Sequence, residues 1–351
     1  MYVNANFLTK RVTGLERYAL ELSLAIQNYQ NELTFLSPRR EFPNSHYDLS
    51  KLKISKIGYS KNYGWEQIEL PVFLRRNKSP LLINLTNTAP VIYRNQITVI
   101  HDLAFLHNPD WYSKKAAMFF KWLVKRSVLA SKHIITVSNF SKSEIQKYYD
   151  IAEDKISVVH EAIPSKFLDL RGNDFPNRWG DYLLTVSSLE PRKNLINLIK
   201  AFSKLNLKGL KLLIVGVANR IVFQEPSFNE LDLSKNIEFL GYVDDETLIG
   251  LYKNAKLFAY ISHYEGFGLP PLEALVSGCP VLVSNTDCLR EVLVDKVEYC
   301  NPYDVNDIAD KIKELINTLK RLTAEETREL LTKYNREKCA ESFLNVISRF
   351  S

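Results

Sequence analysis

Cysteine and long apolar runs are both scarce in this chain. The 351 residues include four cysteines, and no two of them form a Cys-x-x-Cys pair. The sequence therefore predicts no zinc site, and we expect free thiols in a reducing compartment. No window of 18 residues is both apolar and free of charge, so no transmembrane helix is predicted. The first residues also lack the basic-then-apolar layout of a signal peptide, and we expect a cytoplasmic protein.

A glycine-rich dinucleotide fingerprint is also missing. Val3–Phe7 alternates like a strand, Thr13-Gly14 follows, and Leu15–Ile26 has the apolar spacing of a helix. This strand–loop–helix unit has one glycine where Gly-x-Gly-x-x-Gly would have three, which counts against a nicotinamide-dependent enzyme. Gly14 itself fits either an ordinary turn or a loop that touches a ligand.

The chain contains many short apolar runs, which alternate with helical or looped segments. Such runs occur at residues 33–36, 81–85, 97–100, 134–137, 156–159, 182–186, 212–215 and 257–261. This rhythm is typical of βαβ units and predicts an α/β fold with parallel sheets. The length suits two domains, and an apolar content of 46% is enough to give each a core.

Positive charge is concentrated in the first half of the chain. Residues 1–170 contain 23 Lys and Arg against 15 Asp and Glu, whereas the remainder has 23 against 25. An excess of this sign favours an anionic partner such as a lipid surface or a diphosphate carrier. Within this half, Trp111–Lys132 combines bulky apolar and basic residues. Two readings stay open: an amphipathic helix that covers the sheet, or one that also lies at a lipid interface.

The most informative stretch is Ser262–Gly278. It follows the apolar run Leu257–Ile261, and Pro270 and Pro271 suit the first positions of a helix that ends before Gly278. Ligands of open α/β sheets bind at the carboxyl ends of strands, where this loop is predicted to lie. Glu265 lies on the loop, and Glu273 is predicted in the first helical turn.

The ten residues from Glu265 to Ala274, Glu-Gly-Phe-Gly-Leu-Pro-Pro-Leu-Glu-Ala, resemble the Glu-x7-Glu signature of retaining glycosyltransferases of family 4. The resemblance implies the GT-B fold, in which two Rossmann-like domains with parallel sheets face each other across a cleft. Residues 1–165 would form the acceptor-binding domain, with helix 336–351 packed back on it. Residues 180–335 would bind the nucleotide-sugar, and Pro164–Gly180 would link the two.

The same resemblance assigns roles to individual residues of the stretch. Glu265 would face the donor sugar and Glu273 would hold the ribose hydroxyls. Donor sugar and diphosphate would contact the backbone of four residues, Gly266, Phe267, Gly268 and Leu269. In this family a glycine loop comparable to Thr13-Gly14 lies across the cleft beside the donor diphosphate, which makes Gly14 a candidate diphosphate contact.

A second family-like segment, Glu-Pro-Arg-Lys-Asn, lies at residues 190–194. It resembles the family's phosphate loop, with Lys193 at the expected lysine. Many members have an arginine where this chain has Ser188, so Arg192 would have to supply the second cation for the diphosphate. Tyr242 and Val243 resemble the loop whose backbone meets the nucleotide base.

His101-Asp102 ends the apolar run 97–100 and resembles the His-Asp segment of many family members. The resemblance implies that His101 lies near the transferred sugar, so we carry it with Glu265 as a catalytic candidate. Asp102 would either orient His101 or contact the acceptor. Ser141, in a family-like Val-Ser-x-Phe-Ser-Lys segment, is predicted as a helix cap.

No Asp-x-Asp motif occurs in the chain, so the sequence predicts that Lys193, Arg192 and backbone N–H groups replace a metal at the diphosphate. No cofactor is expected. The resemblance implies a hexosyltransferase that extends a bacterial surface polysaccharide such as O-antigen or capsule. The donor would be GDP-mannose, and the acceptor a glycan, polyprenyl-diphosphate-linked or free.

We expect the enzyme in the cytoplasm, in peripheral contact with the cytoplasmic face of the inner membrane, and with no nucleic-acid partner. Two other functions stay open. Another GT-B activity, such as nucleotide-sugar epimerisation, would need no acceptor. The other is a catalytically silent scaffold that binds a sugar nucleotide. The presence of Glu265, Lys193 and His101 argues against it, because a silent copy would be free to lose them.

Overall fold

A computed structural model describes residues 1–27, 33–43, 48–169, 175–217, 236–318 and 321–350 of the chain. The chain divides into two compact units. Unit 1 comprises Met1–Leu103, Met118–Ala162 and Tyr334–Ser351, and unit 2 comprises Ala104–Ala117 and Ile163–Lys333. The segment Ala104–Ala117 thus belongs to unit 2, although the sequence assigned it to the first domain. Residues 170–174 of the predicted linker lie outside the described residues.

Thirteen strands are formed by the described residues. In chain order they are β1 (Tyr2–Asn4), β2 (Thr34–Ser37), β3 (Ile54–Lys56), β4 (Leu82–Asn84), β5 (Gln96–Ile100), β6 (His133–Thr136), β7 (Ile156–Val158), β8 (Tyr182–Val186), β9 (Lys211–Val215), β10 (Ile237–Gly241), β11 (Leu257–Tyr260), β12 (Val281–Ser284) and β13 (Glu298–Cys300).

The described helices flank these strands. They are α1 (Gly14–Gln27), α2 (Asn62–Gly64), α3 (Leu70–Arg76), α4 (Ala104–His107), α5 (Lys114–Ala130), α6 (Asn139–Tyr149), α7 (Ser165–Asp169), α8 (Leu195–Leu205), α9 (Asp245–Asn254), α10 (Leu269–Val276), α11 (Asp287–Leu293), α12 (Val305–Thr318), α13 (Ala324–Lys333) and α14 (Arg336–Ile347). A π-helical turn, Trp65–Glu69, joins α2 to α3. None of the described helices is both long and apolar enough to span a membrane.

Each unit is built on one parallel sheet. In unit 1 the strand order is β3-β2-β1-β4-β5-β6-β7, and in unit 2 it is β10-β9-β8-β11-β12-β13. Strands β4, β5, β6 and β11 are buried along their whole length, as expected where helices cover both faces of a sheet. The predicted α/β class with two parallel sheets is confirmed.

The strand orders fix where a ligand can bind in each unit. In unit 2 the order reverses between β8 and β11, and in unit 1 it reverses between β1 and β4. The loops that leave the two central strands diverge to opposite faces of the sheet, and this opens a crevice at their carboxyl ends. The segments that follow β8 and β11 include Arg192, Lys193 and Glu265.

Several predicted boundaries differ from the structure. The first strand ends at Asn4 rather than Phe7, because Asn6–Thr9 turns into a 3-10 helix. Strands β3 and β13, three residues each, are too short to give a periodic signal. The last helix, α14, contacts α1 within unit 1.

Candidate active site

Lys193 and Glu265 meet at the switch point of the unit 2 sheet. Lys193 ends a 3-10 turn that follows β8, and Glu265 lies on the loop that follows β11. Strands β8 and β11 are hydrogen-bonded neighbours with Leu257 opposite Leu183. Residues far apart in sequence are thus brought to one crevice by strand pairing alone.

Glu265 is held by two cations. Lys193 Nζ donates to Glu265 Oε1 at 2.8 Å, and Arg192 Nη1 donates to Oε2 at 3.1 Å. The side chains of Lys193 and Glu265 are 9% and 7% exposed, so solvent screens their attraction little. Unit 2 therefore carries a preformed carboxylate between two positive groups at the predicted donor site.

The environment of Glu265 keeps its carboxylate ionised. Burial raises the pKa of Glu265, but the charges of Lys193 and Arg192 and the hydrogen bond from Lys193 outweigh burial, and the net pKa lies below its usual value. The group is therefore a carboxylate at neutral pH, able to accept hydrogen bonds from sugar hydroxyls but unable to donate a proton.

Arg192 points into this cluster. Its Nε lies 3.1 Å from Glu190 Oε2, and its Nη1 also donates to the Tyr264 carbonyl at 3.2 Å. Ser188 donates its hydroxyl to the same Glu190. The guanidinium of Arg192 thus lies beside Lys193 at Glu265, and its predicted role as the second cation for the diphosphate stays a prediction.

Tyr260 is a member of the cluster that sequence reasoning missed. It is the last residue of β11, and its hydroxyl accepts a hydrogen bond from Lys193 Nζ at 2.6 Å. Burial raises its pKa well above the usual value, and the charge of Glu265 raises it further. The signal was present, because a tyrosine that ends a buried strand lies at the carboxyl edge of the sheet.

The loop after Glu265 turns sharply into α10. Gly268 has a φ of +103°, and a Cβ there would lie 2.6 Å from Leu289 Cδ2, so only glycine fits. Phe267 is buried, and its carbonyl accepts from the Cys288 thiol at 3.5 Å. Residues Gly266–Leu269 are therefore a shaped backbone segment directly beside Glu265.

Glu273 lies in the second turn of α10, and the predicted first-turn position is wrong. The helix begins at Leu269, ahead of Pro270, because the left-handed Gly268 ends the loop there. Glu273 therefore does not complement the helix dipole. It is buried, and Tyr252 donates its hydroxyl to Glu273 Oε2 at 3.1 Å. Its predicted ribose contact stays a prediction.

Tyr242 and Val243 follow β10 on the far side of the unit 2 sheet. Gly241, with a φ of +69°, turns the chain there, and Tyr242 is 51% exposed. Strands β9 and β8 separate this loop from β11. The base contact predicted for these two residues likewise stays a prediction.

In unit 1, His101 is buried with both ring nitrogens engaged. Nδ1 lies 3.0 Å from Glu161 Oε1, and Nε2 lies 3.1 Å from the Leu85 carbonyl. Burial lowers the pKa of His101, but its hydrogen bond to Glu161 and the charge of that carboxylate outweigh burial and raise it overall. A doubly protonated ring donates to both acceptors. Its predicted place near the transferred sugar stays a prediction.

The groups around His101 differ from those predicted. Glu161 is the carboxylate that contacts the ring, and the charge of Asp102 also raises its pKa. Ser138 caps α6, whereas Ser141 lies inside the helix and donates its hydroxyl to the His101 carbonyl at 2.9 Å. The predicted cap at Ser141 is wrong, because the helix begins two residues earlier, at Asn139.

Gly14 is the first residue of α1, and a Cβ there would meet nothing within 4 Å. Among the described residues of unit 1, no crowding explains a glycine at this position. Its predicted diphosphate contact stays a prediction.

A buried polar network that the sequence did not reveal lies at the switch point of unit 1. Asn4 at the end of β1 donates both to Glu66 Oε2 and to Asn84 Oδ1, each at 3.0 Å. Thr88 donates to the same Glu66 oxygen at 3.1 Å. Burial raises the pKa of Glu66, and these hydrogen bonds only partly offset the effect.

Comparisons with known proteins agree with this architecture. Residues 175–338 match the model of glycosyl transferases group 1, and residues 12–167 match that of glycosyltransferase family 4. The chain is 29% identical over 332 residues to the O-antigen chain mannosyltransferase RfbU of Salmonella typhimurium, covering 90% of each chain. It is also 29% identical over 338 residues to the O-antigen chain mannosyltransferase B of Escherichia coli, covering 86% of each.

Solved structures show the same fold. A sucrose-phosphate synthase from Thermosynechococcus elongatus superposes with a TM-score of 0.74 at 16% identity, over 99% of this chain and 98% of the other. Both halves of the sequence match models of one enzyme group, and the Glu265 segment carries its signature. The chain therefore belongs to the group 1, or family 4, glycosyltransferases of the GT-B fold.

Proposed function

We propose that this glycosyltransferase moves mannose from GDP-mannose, with retention of configuration, to a lipid-linked or oligosaccharide acceptor in bacterial surface polysaccharide synthesis. The observation that carries the proposal is the cluster of Lys193, Arg192 and Glu265 at the switch point of unit 2. Two adjacent cations suit a diphosphate, and an ionised, buried carboxylate suits sugar hydroxyls. The mannose and the polysaccharide follow the names of the similar mannosyltransferases.

In the proposed reaction the cations stabilise the leaving group. An acceptor oxygen forms a bond to the anomeric carbon as the bond from that carbon to the diphosphate breaks. The acceptor proton passes to the departing phosphate on the same face. Lys193 and Arg192 would meet the charge that develops on the diphosphate, which requires no metal. Glu265 would exchange its cation contacts for sugar hydroxyls and position the ring.

Retention without a covalent intermediate fits the positions of the carboxylates. A double displacement uses two carboxyl groups about 5 Å apart on either side of one sugar. Glu273 is buried in the second turn of α10 and bonded to Tyr252, and the family resemblance assigns it to the ribose. Glu190 pairs with Arg192 Nε at 3.1 Å, so Glu265 is the carboxylate that we assign to the sugar, and front-face attack needs no second one.

Calorimetric titration with GDP-mannose, GDP-glucose, UDP-glucose and UDP-galactose tests the donor. We expect GDP-mannose to bind at least about tenfold more tightly than either UDP-sugar, since base and sugar contacts each contribute to discrimination. Lys193→Ala should weaken binding of every nucleotide-sugar by about 10- to 100-fold, the value of a charged hydrogen bond.

Tighter binding of a UDP-sugar would contradict the proposed donor but leave the enzyme class intact. The anomeric configuration of the product, read by NMR from the coupling across its C1–H1 bond, tests retention. Conversion of the donor sugar without any acceptor would instead indicate an epimerase.

The proposal includes peripheral contact with an anionic membrane through α5. Four bulky side chains of this helix are exposed, Met118 (74%), Phe119 (37%), Trp122 (52%) and Leu129 (48%). Five cations on the helix are exposed with them, Lys114, Lys115, Lys121, Lys125 and Arg126. Apolar side chains flanked by basic ones match the chemistry of a bilayer surface with anionic head groups.

Flotation with phosphatidylglycerol-containing vesicles measures this contact. Replacing Met118 and Trp122 together by serine should weaken vesicle binding by about 10- to 100-fold, because two large side chains no longer enter the acyl region. Leu168→Ser, at an exposed leucine of unit 2, is the control and should bind as wild type does. Equal binding by all three proteins would contradict the assignment of α5.

A further inference from the structure

Unit 2 carries a column of three aromatic rings that none of the assigned donor contacts uses. The Trp111 and His263 rings are nearly parallel, at 10° and 6.2 Å between centroids, and the His263 and Tyr303 rings are stacked at 23° and 4.7 Å. Trp111 is buried, whereas Tyr303 is 73% exposed. The column therefore leads from a buried anchor to an open aromatic face.

The column is fixed to the donor cluster by the backbone. The His263 N–H donates to the Arg192 carbonyl at 2.8 Å, and His263 precedes Glu265 by two residues, a span of at most about 7 Å. Pro302, which precedes Tyr303, accepts hydrogen bonds at its carbonyl from Asn194 at 2.7 Å and from Asn197 at 3.1 Å. The exposed ring thus stands at the rim of the site rather than on a remote loop.

His263 adds a polar feature to this apolar column. Its Nδ1 is buried and makes no hydrogen bond to any residue that the structure describes. Burial lowers the pKa of His263, so the ring is neutral at neutral pH. A buried nitrogen without a partner costs free energy, and a hydroxyl at the edge of the stack would satisfy it.

We propose that the outer face of Tyr303 binds the apolar face of a pyranose ring, and that this ring belongs to the acceptor glycan. A rigid, exposed aromatic ring offers a flat apolar surface at small entropic cost, and a pyranose offers a matching face of C–H groups. The donor sugar has its predicted contacts at the buried Glu265 and Phe267, which are 6% and 3% exposed, whereas Tyr303 faces solvent. This inference rests on the proposed sugar transfer.

Saturation-transfer NMR with methyl α-D-mannopyranoside tests the inference on the intact protein. We expect the sugar ring protons to receive saturation from wild type, in the presence and absence of saturating GDP-mannose. Tyr303→Ala should weaken this binding by about five- to tenfold, and Tyr303→Phe should retain it, because the face and not the hydroxyl makes the contact. Tyr59→Ala is the control, since Tyr59 of unit 1 is 74% exposed, and it should bind as wild type does.

Three results would overturn the inference. Hexoside binding in Tyr303→Ala equal to that of wild type would show that the Tyr303 ring does not bind the sugar. Displacement of the hexoside by GDP-mannose would assign the ring to the donor. A weaker affinity of Tyr303→Ala for GDP, measured by calorimetry, would assign it to the nucleotide base. If instead no donor supports transfer while Tyr303-dependent hexoside binding persists, the proposed function is wrong but Tyr303 still binds a sugar.

Discussion

Glu265→Gln is expected to lose sugar transfer by about 10³-fold while binding GDP more tightly than wild type. In the structure the carboxylate accepts hydrogen bonds from Lys193 and Arg192, the two groups that are proposed to bind the diphosphate. The amide removes this competing charge, so GDP affinity should rise about fivefold, equivalent to about 1 kcal/mol. Turnover should fall because the amide cannot accept hydrogen bonds from the sugar with both of its terminal atoms.

Calorimetry with GDP and a radiolabelled transfer assay measure the two effects separately. Glu238→Gln is the matched control, because Glu238 pairs with Lys211 at 2.7 Å in the same unit but is 35% exposed. It should change neither quantity. Unchanged transfer in Glu265→Gln would contradict the role of this carboxylate. Weaker GDP binding would contradict the competition between Glu265 and the diphosphate.

The substitution should also destabilise unit 2 specifically. Buried Lys193 loses its counter-charge while Arg192 keeps Glu190, and removing one partner of a buried pair costs about 3 kcal/mol. The four buried cysteines report this by unit, since Cys279, Cys288 and Cys300 lie in unit 2 and Cys339 lies in unit 1. Pulsed thiol alkylation read by mass spectrometry should show faster labelling of the first three alone.

The sequence predicted the parts of the fold and site that depend on local pattern and on strand ends. Apolar runs identified most of the longer strands, and the proline pair and Gly278 marked the ends of α10 to within a residue. The meeting of Lys193 with Glu265 follows from one rule: loops after adjacent parallel strands share one edge of the sheet. The enzyme family followed from ten residues of one loop and helix.

Features that depend on tertiary register were not predictable. His101 follows β5 and Glu161 follows β7, with β6 between them. The two strands are therefore roughly 10 Å apart, and the side chains bridge this distance to meet. Asp102 was the nearer choice in sequence, but Nδ1 of the ring meets Glu161, 60 residues away. The place of Ala104–Ala117 in unit 2, where His107 lies 4.7 Å from Tyr264 between ring centroids, is likewise a tertiary feature that no periodicity encodes.

Stability of unit 1 should fall as pH rises through neutrality because of the His101–Glu161 pair. The folded-state pKa of His101 is raised, so the folded chain holds this proton at a pH where the unfolded chain has released it. The stabilisation is complete below the unfolded pKa of about 6.5 and disappears as pH passes the folded value. The slope is at most about 1.4 kcal/mol per pH unit for one group. Labelling of Cys339 across pH 6 to 9, corrected for intrinsic thiol reactivity, measures it.

Paired substitutions decide which carboxylate carries this effect. Glu161→Gln keeps an oxygen that can accept a hydrogen bond from His101 Nδ1, but it removes the charge that raises the pKa of His101. The slope of stability against pH should therefore flatten. Unit 1 should also be less stable at pH 6, by about 3 kcal/mol, because a buried imidazolium loses its counter-ion. Asp102→Asn should keep most of the slope, since the charge of Asp102 raises the pKa of His101 less than Glu161 does. If Asp102→Asn flattens the slope and Glu161→Gln does not, the pairing seen in unit 1 is not the one that governs its stability in solution.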